Sequence, residues 1–270
     1  MTDSIVVAAI QMVSGPDVEA NLASAQSLIA EAVAQGAELI ALPEYFALLS
    51  PDQTAKLTIR ERDGDPAASV QKFLSAQALL HGIWIIGGSI PLSTEDPARV
   101  RNSVLVFDPT GRRVARYDKI HLFGFSGQGE TYDEARTIEA GSEVCVFEGP
   151  CGRIGLAVCY DLRFPELFRS MSEVALIVLP AAFTETTGRA HWEILLRARA
   201  IENQCYVLAS AQGGEHQGGR RTFGHSMLID PWGEVLALQP AGPGVAIGAI
   251  DLKRLAAVRE SLPALCHRRL

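Results

Sequence analysis

At 270 residues with 48% hydrophobic content, the chain can bury a large core and has the length of one or two domains. A net charge of −7 with no Lys/Arg stripe argues against a nucleic-acid partner. The absence of any run of about eighteen apolar residues argues against a membrane span.

Met1 to Val7 carries no basic stretch followed by an apolar one, so no signal peptide is expected. The five cysteines (145, 151, 159, 205 and 266) are odd in number, and none forms a C-x-x-C pair with histidine partners. Free thiols in a reducing cytoplasm and no zinc are therefore expected.

Ile5 to Ile10 reads as a first buried strand. Asp17 is placed to cap a helix reaching about Gln35, with Val18, Leu22, Ala25, Ile29 and Val33 at helical spacing and Gly36 as the stop. Glu38 to Leu42 is the next strand, ending in Leu42-Pro43-Glu44-Tyr45-Phe46. Residues 47–64 are irregular. Asp65-Pro66 reads as cap plus first-turn proline of a helix to about His81, and Ile83 to Ile90 as a strand. Strands near 100–107 and 113–119 flank Asp108-Pro109-Thr110-Gly111, a tight-turn sequence. Residues 120–142 read as a long loop whose glycines do not fit a dinucleotide fingerprint.

Residues 144–148 and 153–158 read as a hairpin that delivers Cys159 at a strand end. Phe164-Pro165-Glu166 starts a short helix, and Val174 to Leu179 is a strand. A helix over 190–204, a strand over 205–211 and a Gly- and Arg-rich loop over 212–222 follow. The chain closes with strands at 225–230, 234–238 and 245–250 and a helix from Asp251 to about Leu262. Glu38 to Phe46 echoes Ala175 to Phe183, so residues 5–46 and 154–183 read as similar β-α-β units. Right-handed crossovers would then put Glu44 and Cys159 on one rim.

Three polar residues thus end apolar strands: Glu44, Lys119 and Cys159. Two readings are open for them. Glu44 and Lys119 can form a structural ion pair beside a merely buried thiol. Alternatively, the carboxylate takes the thiol proton while the ammonium holds an oxyanion.

Leu42 to Phe46, Tyr117-Asp118-Lys119-Ile120-His121-Leu122 and Gly155 to Leu167 resemble the nitrilase, or carbon–nitrogen hydrolase, superfamily and carry its Glu, Lys and Cys in order. The resemblance continues through Phe183 to Gly188, His191-Trp192-Glu193, Arg197 to Asn203 and Gly224 to Met227 to Asp230-Pro231-Trp232-Gly233. Within the superfamily, Ala211 to Met227 and Cys266 to Arg269 are most similar to the deaminated glutathione amidase subgroup of the Nit branch. The resemblance implies an α/β fold, a four-layer α-β-β-α sandwich, with residues 1–270 as a single domain that pairs into a homodimer or higher homo-oligomer. It implies an amidase that converts a small carboxylate-bearing amide to acid and ammonia through a cysteine thioester, with no metal and no cofactor.

The resemblance also implies roles. Cys159 attacks, Glu44 is the base, and Lys119 with the Tyr160 N–H holds the oxyanion. Glu134 is the second glutamate, with Glu130 as its competitor. Arg163 meets the substrate carboxylate, or else pairs with Asp161 or Glu166. Phe183 and Thr187 line the pocket. From the residues themselves, His191, Trp192 and Glu193 lack metal-ligand spacing and read as packing residues, and Arg220 and Arg221 in loop 212–222 are candidates for an anionic substrate tail, with a mobile solvated loop as the favoured alternative. An ω-amidase acting on α-ketoglutaramate, an N-carbamoyl amino acid hydrolase and a catalytically silent interaction module are the alternatives. Residues 169–176 are about two residues shorter than the superfamily's usual connection, and Arg189 stands where proline is common.

Overall fold

In the computed structural model, which describes residues 4–127 and 130–269, Ser4–Gln11 (β1) is apolar on both faces. Ile5, Val7 and Ala9 join one core, while Ala8 and Ile10 join another. A strand buried on both sides needs a layer on each side. Asp17 accepts from the N–H of Ala20 and starts Val18–Ala34 (α1). Leu39–Ala41 (β2) then runs parallel to β1.

The next helix begins later than its sequence predicts. Asp65-Pro66 makes a turn in which Asp65 accepts from Ala67, and Ser69–His81 (α2) starts four residues on from Asp65. Its early N–H groups, those of Val70 and Gln71, are met by the distant Glu61 carboxylate at 2.6 and 3.2 Å. Gly82 closes α2 in the left-handed conformation.

The predicted strand 83–90 is two strands, Trp84–Ile86 (β3) and Ile90–Ser93 (β4). They split at Gly87-Gly88, where a Cβ on Gly88 would lie 2.2 Å from the Pro43 carbonyl. Only glycine lets the Glu44 segment approach this closely.

Val100–Phe107 (β5) and Arg113–Asp118 (β6) form the expected hairpin. The predicted loop 120–142 contains a small hairpin, Gly124–Gly127 (β7) with Glu130–Asp133 (β8). Val146–Gly149 (β9) and Gly152–Leu156 (β10) lead to a 3₁₀ turn at Cys159–Arg163. Pro165–Ser170 (α3), Leu176–Ala181 (β11), Glu185–Asn203 (α4) and Tyr206–Ala211 (β12) follow. Ser226–Ile229 (β13), Val235–Gln239 (β14), Gly244–Asp251 (β15) and Leu252–Ser261 (α5) complete the chain. Helix α4 starts five residues before its predicted position because Thr184 accepts from the N–H of Thr187.

Among the described residues, the first main sheet has the order β15-β1-β2-β3-β5-β4, with β6 on β5. The second has the order β14-β13-β12-β11-β10-β9. Their inner faces pack together through β1 on β12 and β13. Helices α1 and α2 cover the outer face of the first sheet with Ala25, Ile29, Leu74 and Ala78. Helix α4 covers the second with Trp192, Leu196 and Ala200. The result is an α-β-β-α sandwich.

Both β-α-β units are present, with β1 parallel to β2 and β10 parallel to β11. Their Leu-Pro ends meet: the Ala182 N–H, just past β11, donates to Glu44 Oε2 at 2.9 Å, just past β2.

Candidate active site

The site is built from strand ends. Glu44 follows β2, Lys119 follows β6 and Cys159 follows β10. The Lys119 ammonium is fully buried and sits between two carboxylates, 2.9 Å from Glu44 Oε1 and 2.8 Å from Glu134 Oε2. Glu44 also accepts from Asn102 Nδ2 at 2.9 Å. Glu134 accepts from the Tyr45 hydroxyl at 2.7 Å and from the Phe123 N–H at 2.8 Å. Gly141 pins the backbone of the lysine by donating to the Lys119 carbonyl, and a Cβ there would strike the Asp118 carbonyl.

Cys159 is buried at the tip of the β10 turn with a φ of 48°. Non-glycine residues rarely adopt this conformation, and where they do it is held by the surroundings. Here Asp161 holds it. Its Oδ2 accepts from the Val158 N–H at 2.8 Å and the Tyr117 hydroxyl at 2.7 Å. Its Oδ1 lies 2.9 Å from the His121 N–H and 2.7 Å from His121 Nδ1. Tyr117 and His121 bracket Lys119, so one carboxylate fixes the lysine segment against the thiol turn. Tyr160 falls in the first turn of the 3₁₀ helix, where N–H groups lack partners inside the helix.

The electrostatics follow from burial and charge. Burial, then the Glu44 carboxylate, push the Cys159 thiol well above its ordinary pKa, against the pull of Lys119. Burial alone would lower Lys119, but Glu134 and Glu44 outweigh it and hold the ammonium above its usual range. Burial would raise Glu134, and Lys119 with the hydrogen bonds to its carboxylate brings it below the ordinary carboxylate value.

Arg163 forms no ion pair with Asp161 or Glu166 among the described residues. It lies 5.2 Å above the Phe183 ring and 5.7 Å above the Tyr160 ring, with Nη1 3.2 Å from His191 Nδ1. With Cys159, Phe123 and Thr187 it lines a small cavity. His191 therefore orients Arg163, and Trp192 is a core residue that donates to the His225 carbonyl. The side chain of Glu130 lies outside the described residues. Arg221 pairs at the surface with Glu185, whereas Arg220 turns inward.

Sequence reasoning missed Asn102, Tyr45 and the role of Asp161. Asn102 alone left a signal, as a buried polar position in the Arg101-Asn102-Ser103 run that opens the otherwise apolar β5. No cluster of three or more His, Cys, Asp or Glu residues able to hold a metal occurs among the described residues, nor is any helix among them long and apolar enough to cross a membrane.

The sandwich and the buried Glu-Lys-Glu cluster beside a cysteine define an amide-hydrolysing type of site, and the comparisons name its class. The carbon–nitrogen hydrolase family model matches residues 6–260, and the chain belongs to that family. It is a carbon–nitrogen hydrolase.

A deaminated glutathione amidase from Synechocystis sp. is 45% identical over 97% of both chains. The human omega-amidase NIT2 is 39% identical over 92% of this chain and 89% of its own. Among solved structures, the C. elegans NitFhit protein has a TM-score of 0.87 at 37% identity, covering 98% of this chain; this chain spans 65% of NitFhit. A variant of the amidase from Nesterenkonia sp. AN1, with acrylamide added to its active-site cysteine, has a TM-score of 0.79 at 26% identity over 96% of this chain and 98% of its own.

Proposed function

We propose that the chain is an amidase that hydrolyses deaminated glutathione through a thioester on Cys159. The observation that carries this reading is the Lys119 ammonium bound between Glu44 and Glu134 beside the strained Cys159 turn. The name of the Synechocystis relative supports the substrate.

The thiol rests protonated, so attack needs a base. Glu44 takes the thiol proton as Sγ bonds to the amide carbon. Lys119 Nζ and the Tyr160 N–H receive the oxyanion. Glu44 then returns the proton to the departing nitrogen, which leaves as a neutral amine. Water, losing a proton to Glu44, attacks the thioester, and the thiol departs with that proton. Glu134 holds Lys119 in place.

The Arg163 guanidinium takes the substrate carboxylate on the acyl side, with Phe183 and Thr187 packing around it. Ammonia, expected from the resemblance, is the product only for a primary amide. The scissile nitrogen of deaminated glutathione carries the rest of the peptide, so an amine departs.

The second reading is an ω-amidase acting on α-ketoglutaramate. The small cavity at Arg163 and the likeness to NIT2 favour it.

The whole chain works as one catalytic domain in the cytoplasm, where its five described free cysteines would stay reduced. It pairs with a second copy through α4, whose Ile194 and Ile201 are exposed.

Purified wild type and Cys159→Ala, offered deaminated glutathione, α-ketoglutaramate, a carbamoyl-β-alanine and a nitrile, provide the test. The carboxylic acid product is read by mass. Wild type should act fastest on deaminated glutathione and Cys159→Ala on nothing. Retained turnover in Cys159→Ala would defeat the thioester route. Preference for α-ketoglutaramate would move the chain to the second reading.

A further inference from the structure

Beyond the small cavity at Arg163 lies a second cleft, lined by Tyr45, Lys56, Phe123, Tyr132, Glu134 and Arg220. Phe123 lines both, with Cys159 in the first and Glu134 in the second. Two cations face the second cleft, and neither forms an ion pair among the described residues. Lys56 Nζ donates to Thr137 Oγ1 at 3.1 Å and stands 5.9 Å from the Tyr45 ring centroid. Arg220 reaches the Ala182 carbonyl at 3.3 Å and lies 5.4 Å above the Tyr132 ring. Its Nε is buried and has no hydrogen-bond partner.

Both cations are half-buried, and a partly desolvated cation gains from an anion that meets it. Among the described residues, none of the acids that line the cleft, Asp52, Asp133 and Glu134, forms an ion pair with either cation. Glu134 spends its oxygens on Lys119, Tyr45 and Phe123. Asp52 bonds Thr54 at the exposed edge. Burial pulls Lys56 below its ordinary pKa, with Glu134 opposing, as befits an ammonium short of a partner.

We propose that Lys56 and Arg220 form a second carboxylate subsite, which holds an acidic group on the leaving-amine side of the scissile bond. Arg163 holds the acyl-side carboxylate, so the protein selects amides that carry a carboxylate on both sides of the C–N bond. This rests on the substrate proposed above, whose terminal glycine carboxylate is such a group. A primary ω-amide has nothing to place there.

The test uses Cys159→Ala, which binds without turning over. It is titrated calorimetrically with deaminated glutathione and with the same molecule whose terminal carboxylate is converted to an amide. Loss of that carboxylate should weaken binding on the order of tenfold, the scale of a charge-assisted contact. Adding Lys56→Met or Arg220→Met should weaken the carboxylate ligand and shrink the preference for it. Binding of the amidated ligand shows that these variants are folded. Equal affinity of Cys159→Ala for the two ligands, a preference surviving both cation variants, or no binding of either at millimolar concentration would each overturn the subsite. Wild-type turnover of deaminated glutathione is read separately. With turnover and no carboxylate preference, only the subsite falls; with the preference intact and no turnover, the subsite stands and the substrate assignment falls.

Discussion

Two carboxylates and one ammonium share the buried volume around Cys159, so the surroundings of the thiol are net negative. A preformed thiolate would add a further negative charge beside Glu44, and burial would not tolerate it. Such surroundings do not favour a thiolate of the kind that a neighbouring cation stabilises. Glu44→Gln separates charge from proton transfer. Burial and then Glu44 raise the thiol, so removing the carboxylate should move the pH midpoint of iodoacetamide labelling of Cys159 downward. Amide turnover should fall by about 10²–10⁴-fold, the range of a general acid–base group. A midpoint that rises or stays fixed would mean that Glu44 does not act on the thiol by its charge.

Strand ends supply these residues, and the 3₁₀ turn at Cys159–Arg163 joins them through Asp161. Asp161→Asn places an amide N–H₂ where a carboxylate oxygen accepts two contacts. Leaving buried donors unmet costs about 1–3 kcal/mol, which a urea midpoint would register. Displacement of Lys119 from the thiol should lower kcat by about 100-fold with a smaller change in KM. An unchanged kcat would limit Asp161 to a folding role.

The elements that carry Glu44, Lys119 and Cys159 were legible because each is a short apolar run stopped by a polar residue. The breaks were less legible. Gly87-Gly88 splits a strand because of a chain segment some forty residues away, and α2 is capped by Glu61 rather than by Asp65. The β7–β8 hairpin lacks the alternating apolar pattern that marks a strand. At the site, the Asn102 contact to Glu44 and the pairing of Lys56 with Arg220 across one cleft join distant positions, and no local spacing encodes them.

At the scale of the whole molecule, α4 links the site to the outside. Its first turn brings Thr187 to the Arg163 cavity, and His191 one turn later orients Arg163. Ile194 and Ile201, seven residues apart and so on one face, are 70% and 50% exposed. The Asp230 to Gly233 turn abuts Ile201 and adds Trp232, 52% exposed. An apolar patch of this kind marks an interaction surface, and the proposed dimer would cover it. Ile194→Asp with Ile201→Asp should convert a sedimenting dimer to monomer, with a thermal midpoint that no longer depends on protein concentration. Because the same helix carries Thr187 and His191, turnover should fall with the loss of the dimer. Leu79→Asp, on the equally exposed outer face of α2, controls for adding a charge and should leave the dimer whole. If the α4 variant stays dimeric while the Leu79 variant dissociates, the interface lies on α2 and the coupling of assembly to Arg163 is lost with it.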